Sequence, residues 1–171
     1  MGQRNFLVEG VSGTGKTSVC RELRRRGFAA INGDRELAYQ GDPETGTPVS
    51  GISGTAVHDH HLWRVDEVRA IVGDHSEQAT FFCGGSRNVG SFVGLFDEVF
   101  ILTVDATTLD RRLDERDDDD WAAPGHTDER ALVHRLHETG VDTPPGVTID
   151  ATQPLGAVVD EILRRCDLLG S

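Results

Sequence analysis

Short apolar runs alternate along the chain with stretches in which apolar side chains recur every three or four residues. The runs predict five buried strands, at residues 6–8, 28–31, 79–83, 99–104 and 147–149. The periodic stretches predict helices, of which the first ends at the arginines 24–26 and the others cover about 62–72, 108–116, 128–138 and 155–169. This alternation predicts an α/β fold of three layers, in which helices cover both faces of a five-stranded parallel sheet.

The interruptions of this pattern are short, apart from one polar stretch. Residues 40–57 are rich in glycine and proline and predict a mobile loop. The chain shows no internal repeat and no long linker, so the 171 residues are expected to form a single domain, 1–171.

The charge balance excludes several kinds of partner. A formal net charge of −12 would repel nucleic acid and anionic membranes, so neither is expected as a partner. No apolar run is long enough to cross a membrane and no signal peptide precedes the first strand, so a cytoplasmic protein is expected. The three distant cysteines are expected to be reduced core thiols, and the acidic run 117–120 a solvated loop.

The segment Gly10–Thr17 fits the phosphate-binding pattern G-x-x-x-x-G-K-[S/T] between a predicted strand and a predicted helix. Its Lys16 is the only lysine, since the other 16 of the 17 basic residues are arginines. Backbone N–H groups in such a loop surround phosphate oxygens, the lysine reaches the β- and γ-phosphates, and the hydroxyl of Thr17 would bind Mg²⁺. The predicted nucleotide ligands in this segment are Gly13, Thr14, Gly15, Lys16, Thr17 and Ser18.

Polar residues also follow the other predicted strands. Ligands of parallel α/β sheets bind beyond the carboxyl ends of the strands, which selects Asn32–Asp34, Cys83–Arg87, Asp105–Thr108 and Asp150–Pro154 for attention. Asp105 is interpreted as a helix cap, because it precedes a predicted helix.

The chain resembles the small P-loop kinases, the group that contains adenylate, shikimate and gluconate kinases. The resemblance extends from Phe6 to about Leu168, although only the phosphate-binding loop is highly specific. It implies a strand order of 2-3-1-4-5, ATP as co-substrate and Mg²⁺ as cofactor. It also implies an acceptor-binding region at about 35–72 and a short lid at about 117–127.

The resemblance assigns the acceptor side to two segments. Asp34 matches an aspartate that meets the acceptor hydroxyl in some members and lies near the water shell of the metal in adenylate kinase, so it is a candidate catalytic residue and a metal ligand through water. Its alternative role is a helix cap. Gly84, Gly85 and Arg87 resemble the glycine and arginine positions that hold the acceptor, and a glycine turn with a surface arginine is the alternative.

Further arginines are assigned to the donor side. Arg112 and Arg116, one helical turn apart, resemble the pair that enters the lid of adenylate kinase, where the first stacks on adenine and the second approaches the phosphates. Arg135 resembles the arginine at the exit of the lid, and Gln153 lies in a segment that resembles the adenine-contacting loop. Surface ion pairing is the alternative for these arginines.

Two departures from the group stand out. The predicted lid has no arginine or lysine, and Leu37 occupies a position where adenylate kinase has an arginine, for which Arg35, Arg64, Arg69 or Arg87 could substitute. The histidines of the segment His58–His61 are adjacent and lack a spaced fourth ligand, so contact with the acceptor is favoured over a metal site.

Two functions are therefore expected. The first is a Mg- and ATP-dependent kinase whose acceptor is a small metabolite, a nucleoside or a nucleoside monophosphate, with Lys16, Asp34, Arg116 and Arg135 as catalytic residues. The second is a nucleotide-binding ATPase or switch module without a small acceptor. A GTPase base-reading segment with a second lysine is excluded, because Lys16 is the only lysine.

Overall fold

The computed structural model describes residues 3–170 and is built on a five-stranded parallel sheet. Its strands are β1 (Arg4–Glu9), β2 (Ala29–Asn32), β5 (Ala79–Cys83), β6 (Glu98–Thr103) and β7 (Val147–Asp150), in the order β2-β5-β1-β6-β7. When two short strands outside this sheet are set aside, the order is the expected 2-3-1-4-5. The predicted α/β fold class is confirmed.

Helices lie on both faces of the sheet. They are α1 (Lys16–Arg25), α2 (Gly33–Glu36), α3 (Ala56–Asp59), α4 (Val65–Gly73), α5 (Ala106–Asp114), α6 (Thr127–Thr139) and α7 (Leu155–Arg165). Two short 3₁₀ helices, Val89–Ser91 and Val93–Leu95, precede β6.

The core has two parts because successive side chains of a strand point to opposite faces. Phe81 and Phe6 stack on one face, with ring centroids 5.2 Å apart, in a cluster that includes buried residues of α1, α5, α6 and α7. Phe82 faces the other cluster, in which Trp63 stacks on Phe92 at 5.5 Å. Both faces of the parallel sheet are thus covered, as continuous apolar strands require.

The predicted helix at 62–72 is wrong at its start. Residues His61–Trp63 form strand β4, which pairs in antiparallel fashion with β3 (Ala38–Gln40), and the helix begins only at Val65. The buried Leu62 and Trp63 therefore serve a strand rather than a helical face. This two-stranded ribbon closes the loop at 40–57 and positions the histidines of α3 and β4.

Cys20, Cys83 and Cys166 are free and buried, as predicted. The hydrogen bond with Cys20, together with burial, raises the pKa of the Cys83 thiol well above its usual value. Among residues 3–170, no helix combines the length and apolar character needed to cross a membrane.

Candidate active site

The phosphate-binding loop joins β1 to α1 and requires glycine at its turns. Gly13 has φ +93°, and a Cβ there would lie 2.8 Å from Leu109 Cδ1 on α5. At Gly10, a Cβ would lie 2.6 Å from Thr14 Oγ1 and 2.8 Å from the carbonyl oxygen of Leu102. The loop backbone is therefore packed against its neighbours and holds a fixed curvature.

Lys16 extends across the mouth of this loop. Its Nζ donates a hydrogen bond to the carbonyl oxygen of Gly10, and Thr14 Oγ1 donates to the carbonyl oxygen of Val11 at 2.8 Å. These contacts keep the ammonium at the loop, where the N-terminus of α1 also favours an anion.

A cavity of about 700 Å³ opens beside the loop. This volume is within the range of small-molecule and nucleotide sites. The predicted nucleotide ligands all line it, namely Gly13, Thr14, Gly15, Lys16, Thr17, Ser18, Arg112 and Gln153. We call it the donor cavity.

Two arginines of the α5 region fix one wall of the donor cavity. Arg112 donates to the carbonyl oxygens of Thr14, at 2.9 Å, and Ala151, at 2.7 Å, so it connects the phosphate-binding loop to the segment after β7. Arg116 donates to Ser12 Oγ at 2.6 Å and to the carbonyl oxygen of Trp121. Burial lowers the pKa of Arg116, and the guanidinium stays charged at neutral pH.

Arg135 is placed differently. It lies on the exposed face of α6 and lines neither of the two cavities of the site. The structure does not bring it together with Lys16 and Arg116, so its catalytic role stays a prediction.

A second cavity, of about 290 Å³, adjoins the donor cavity, and we call it the acceptor cavity. Both cavities are lined by Ser12, Lys16, Asp34 and Trp121. A ligand on the phosphate-binding loop and a ligand in the acceptor cavity would thus meet at Lys16 and Asp34.

Asp34 is held by two segments, strand β4 and the glycine turn after β5. Its Oδ1 accepts hydrogen bonds from His61 Nε2 at 3.0 Å and from the backbone N–H of Gly85 at 3.1 Å, while a Cβ on Gly84 would lie 2.6 Å away. Its side chain is 35% exposed because it opens into the cavities, although it lies deep in the molecule. The helix-cap alternative for Asp34 is wrong, since the N-cap of α2 is Asn32.

The ionisation of Asp34 depends on its neighbours. Burial opposes the negative charge, but the hydrogen bond from His61 and the charge of Lys16 hold the pKa of Asp34 below its usual value. Asp34 is therefore a carboxylate at neutral pH and can accept a proton or a hydrogen bond.

Glu9 is a site residue that the sequence analysis missed. It ends β1, is 6% exposed, lines the acceptor cavity and accepts a hydrogen bond from the N–H of Gly10 at 3.0 Å. Burial raises the pKa of Glu9 to about 7, against the opposing influence of Lys16. A carboxyl group that directly follows an apolar strand was the available signal, because strand ends carry the site in this fold.

Arg87 lies at the far wall of the acceptor cavity. Its backbone N–H donates to the carbonyl oxygen of His61 at 2.9 Å, and its guanidinium forms an ion pair with Asp142. His58 Nε2 lies 2.8 Å from the other carboxylate oxygen of Asp142. Asp142 was not predicted, since nothing in its local sequence distinguishes it from other loop aspartates.

The histidine segment makes no metal site. His58 and His61 both line the acceptor cavity but turn to different carboxylates, and His60 Nδ1 is 2.9 Å from the carbonyl oxygen of Ala56. Within residues 3–170, no group of three or more histidine, cysteine, aspartate or glutamate side chains is arranged to hold a metal ion.

The residues present nevertheless fit Mg²⁺ held together with nucleotide phosphates. Thr17 and Asp34 both line the donor cavity and offer a hydroxyl and a carboxylate, the oxygen ligands that Mg²⁺ accepts alongside phosphate and water. Asp105 is excluded from this role, because its Oδ1 accepts the N–H of Thr108 at 2.7 Å and caps α5, as predicted.

Comparison with known proteins supports the same fold. The family model described as AAA domain matches residues 7–132. A search among curated proteins found no match. A sugar kinase from Janibacter sp. HTCC2649 is 17% identical with a TM-score of 0.57, covering 98% of this chain and 96% of its own.

Two further solved structures share the fold at similar identity. Shikimate kinase from Bacteroides thetaiotaomicron is 14% identical, with a TM-score of 0.57 and coverage of 96% of this chain and 99% of its own. Deoxyadenosine kinase from M. mycoides, solved with bound dATP, is 13% identical, with a TM-score of 0.57 and coverage of 96% and 100%. The predicted likeness to small P-loop kinases is thus confirmed for the fold.

Proposed function

This chain belongs to the AAA domain family of P-loop proteins, and we propose that it is a phosphotransferase that moves the γ-phosphoryl group of ATP to a small acceptor. The observation that carries this proposal is the meeting of the donor and acceptor cavities at Lys16 and Asp34. An ATPase or a nucleotide-dependent switch module needs only the donor cavity. The second cavity gives the transferred group a destination other than water.

The donor side of the reaction depends on binding and charge. In this proposal the loop N–H groups and Lys16 hold the β- and γ-phosphates, and Arg112 and Gln153, which line the same cavity, contact the base. Thr17, together with Asp34 through water, would hold Mg²⁺, which supplies neutralisation of phosphate charge. We assign to Arg116, whose guanidinium donates to Ser12 Oγ, the stabilisation of the charge that spreads over the migrating phosphoryl oxygens.

The acceptor side supplies a nucleophile and a place for its proton. A hydroxyl oxygen of the acceptor forms a bond to the γ-phosphorus while the bond from that phosphorus to the β,γ-bridging oxygen breaks, releasing ADP. The hydroxyl proton goes to Asp34, which His61 holds at 3.0 Å in a fixed orientation. Gly84 lets the backbone approach this carboxylate closely, and the N–H of Gly85 donates to it at 3.1 Å.

ADP production with and without acceptors tests the function. A panel of nucleosides, nucleotides, sugars and shikimate-like acids is assayed with ATP and Mg²⁺, and at least one acceptor is expected to accelerate ADP formation. Asp34→Asn is expected to lower kcat at least about a hundredfold while nucleotide binding persists, and Lys16→Ala to abolish transfer.

Arg69→Ala serves as the control, because Arg69 is exposed and lines neither cavity. Steady ADP formation that no acceptor accelerates would favour an ATPase or switch module, which the absence of lysine and arginine from 117–127 would suit. Full kcat in Asp34→Asn would refute the role of that residue.

A further inference from the structure

Every cationic or imidazole side chain that lines the acceptor cavity is committed to another group of the protein. Arg87 and His58 both contact Asp142, and His61 contacts Asp34. Lys16 crosses the phosphate-binding loop, where we assign it to the nucleotide phosphates, and its charge acts on Glu9 and Asp34. Among the described residues that line this cavity, no cation remains for a negatively charged acceptor.

Asp142 is the residue that completes this pairing. It follows the glycine that ends α6, Gly140, in a turn closed by a hydrogen bond from the N–H of Thr143 to the Gly140 carbonyl oxygen at 3.1 Å. The turn brings its carboxylate to Arg87 after β5 and to His58 on α3, so three separate segments meet at one group.

The ion pair between Arg87 and Asp142 is partly buried in the cavity wall. The side chains of Asp142 and Arg87 are only 23% and 32% exposed. Burial opposes the charge on Asp142, yet the hydrogen bond from His58 and the charge of Arg87 hold the pKa of Asp142 below its usual value. A ligand can bind the guanidinium of Arg87 only by displacing Asp142, and this displacement costs free energy.

The remaining wall of the cavity also disfavours an anion. Asp34 and Asp142 line it as carboxylates, and like charges at short range repel. Between them lie apolar side chains, contributed by Val57, Trp121, Val133 and Leu136. The cavity therefore combines hydrogen-bond acceptors with apolar surface.

We propose that the acceptor is a hydroxyl compound without a phosphate or carboxylate group, and that Asp142 sets this preference by holding Arg87. The inference rests on the proposed phosphotransferase function and narrows its acceptor class. A nucleoside monophosphate or a sugar acid would have to displace Asp142 from Arg87 and place its own negative charge near two carboxylates. A nucleoside or a neutral sugar meets neither obstacle.

Matched pairs of acceptors test the preference in the wild-type protein. The pairs are adenosine and its monophosphate, glucose and gluconate, and the methyl ester of shikimate and shikimate itself. Within any pair that accelerates ADP formation, we expect kcat/KM to be at least about tenfold higher for the uncharged member. A preference for the anionic member overturns the inference and leaves the phosphotransferase function in place.

Asp142→Asn tests the cause of the preference. Freeing Arg87 is expected to raise kcat/KM for the anionic member relative to the uncharged one by about ten- to a hundredfold, the range of a hydrogen bond to a charged group. Arg87→Gln in the same background is expected to remove this gain. Glu138→Gln, which removes a carboxylate at an exposed position of α6 that lines neither cavity, is the control and is expected to keep the wild-type ratio.

If no acceptor of the panel is active, that result counts against the proposed function but does not test the acceptor preference. A binding measurement then tests the preference. Inorganic phosphate is titrated into protein saturated with a non-hydrolysable ATP analogue, while the fluorescence of Trp121 in the cavity wall is followed. The wild-type protein is expected to show no saturable phosphate binding. Saturable binding that Arg87→Gln abolishes would overturn the inference, as would an unchanged preference in folded Asp142→Asn.

Discussion

The guanidinium of Arg116 joins Ser12 of the phosphate-binding loop to Trp121 of the acidic segment 117–127. It reaches Ser12 Oγ at 2.6 Å and the backbone carbonyl oxygen of Trp121 with a different nitrogen. A fork of several donors is needed to make both contacts at once. This geometry supplies a cation at the donor cavity although 117–127 itself contains no basic residue.

Arg116→Met is expected to lower kcat by about a hundred- to a thousandfold, as is typical when a donor to transition-state charge is removed. Arg116→Lys restores the charge but not the fork, so its kcat should lie between those of Arg116→Met and the wild type. Steady-state kinetics measure the kcat of both variants. Arg111→Met, one residue before Arg112 on an exposed position of α5, is the control, and an equal loss there would contradict the assignment.

Glu9→Gln is expected to change how stability depends on pH. Because the pKa of Glu9 is raised to about 7 from 4.5, the folded protein retains its proton while the unfolded chain loses it, so stability falls as pH rises between these values. The stability of Glu9→Gln relative to the wild type should rise by about 2 kcal/mol between pH 5 and pH 8. Urea unfolding of the two nucleotide-free proteins at pH 5 and pH 8 measures this difference in the free energy of unfolding.

Glu44→Gln is the matched control for Glu9, since Glu44 is exposed and in a loop. Its stability difference from the wild type should not vary with pH over this range. If the Glu9→Gln difference is equally flat, the carboxyl group is ionised throughout and the raised pKa is refuted.

Gly84→Ala is expected to displace Asp34. The added Cβ would lie 2.6 Å from Asp34 Oδ1 and 2.7 Å from Trp63, at a φ of +145°. Transfer should fall at least about tenfold in kcat, since small misplacements of catalytic groups are costly. At Gly90 a Cβ meets nothing within 4 Å, so Gly90→Ala is the control and should keep wild-type kinetics.

Asp105→Ala separates a helix cap from a metal ligand. Loss of the hydrogen bond to the N–H of Thr108, 2.7 Å long, should destabilise the protein by about 1 kcal/mol. The dependence of activity on Mg²⁺ concentration should remain that of the wild type. A large rise in the Mg²⁺ needed for half-maximal activity would show instead that Asp105 takes part in metal binding.

The sheet could be predicted because its strands are continuous apolar runs that are buried on both faces, as Phe81 and Phe82 illustrate. The ribbon of β3 and β4 could not, because three-residue strands are too short for any period to be read from them. His61 is therefore a strand residue that reaches Asp34, rather than part of a histidine cluster before a helix.

Within the site, the position of a residue could be predicted where the backbone motif itself fixes the side chain. Lys16 and Thr17 line the donor cavity because the backbone conformation of the loop fixes their positions. Asp142 lies 55 residues after Arg87 and reaches it only because α6 and its closing turn return to the sheet edge. Such tertiary contacts leave no local pattern in the sequence, and the exposed position of Arg135 shows the same limit.

Trp121 lines both cavities, and its indole N–H donates to the carbonyl oxygen of Gly54 at 2.9 Å, in the loop between the two strands of the ribbon. This hydrogen bond joins the acidic segment 117–127 to that loop. A ligand that displaces Trp121 from the donor cavity also removes part of the wall of the acceptor cavity. If two ligands both depend on the position of Trp121, linkage requires each to change the affinity of the other by the same factor.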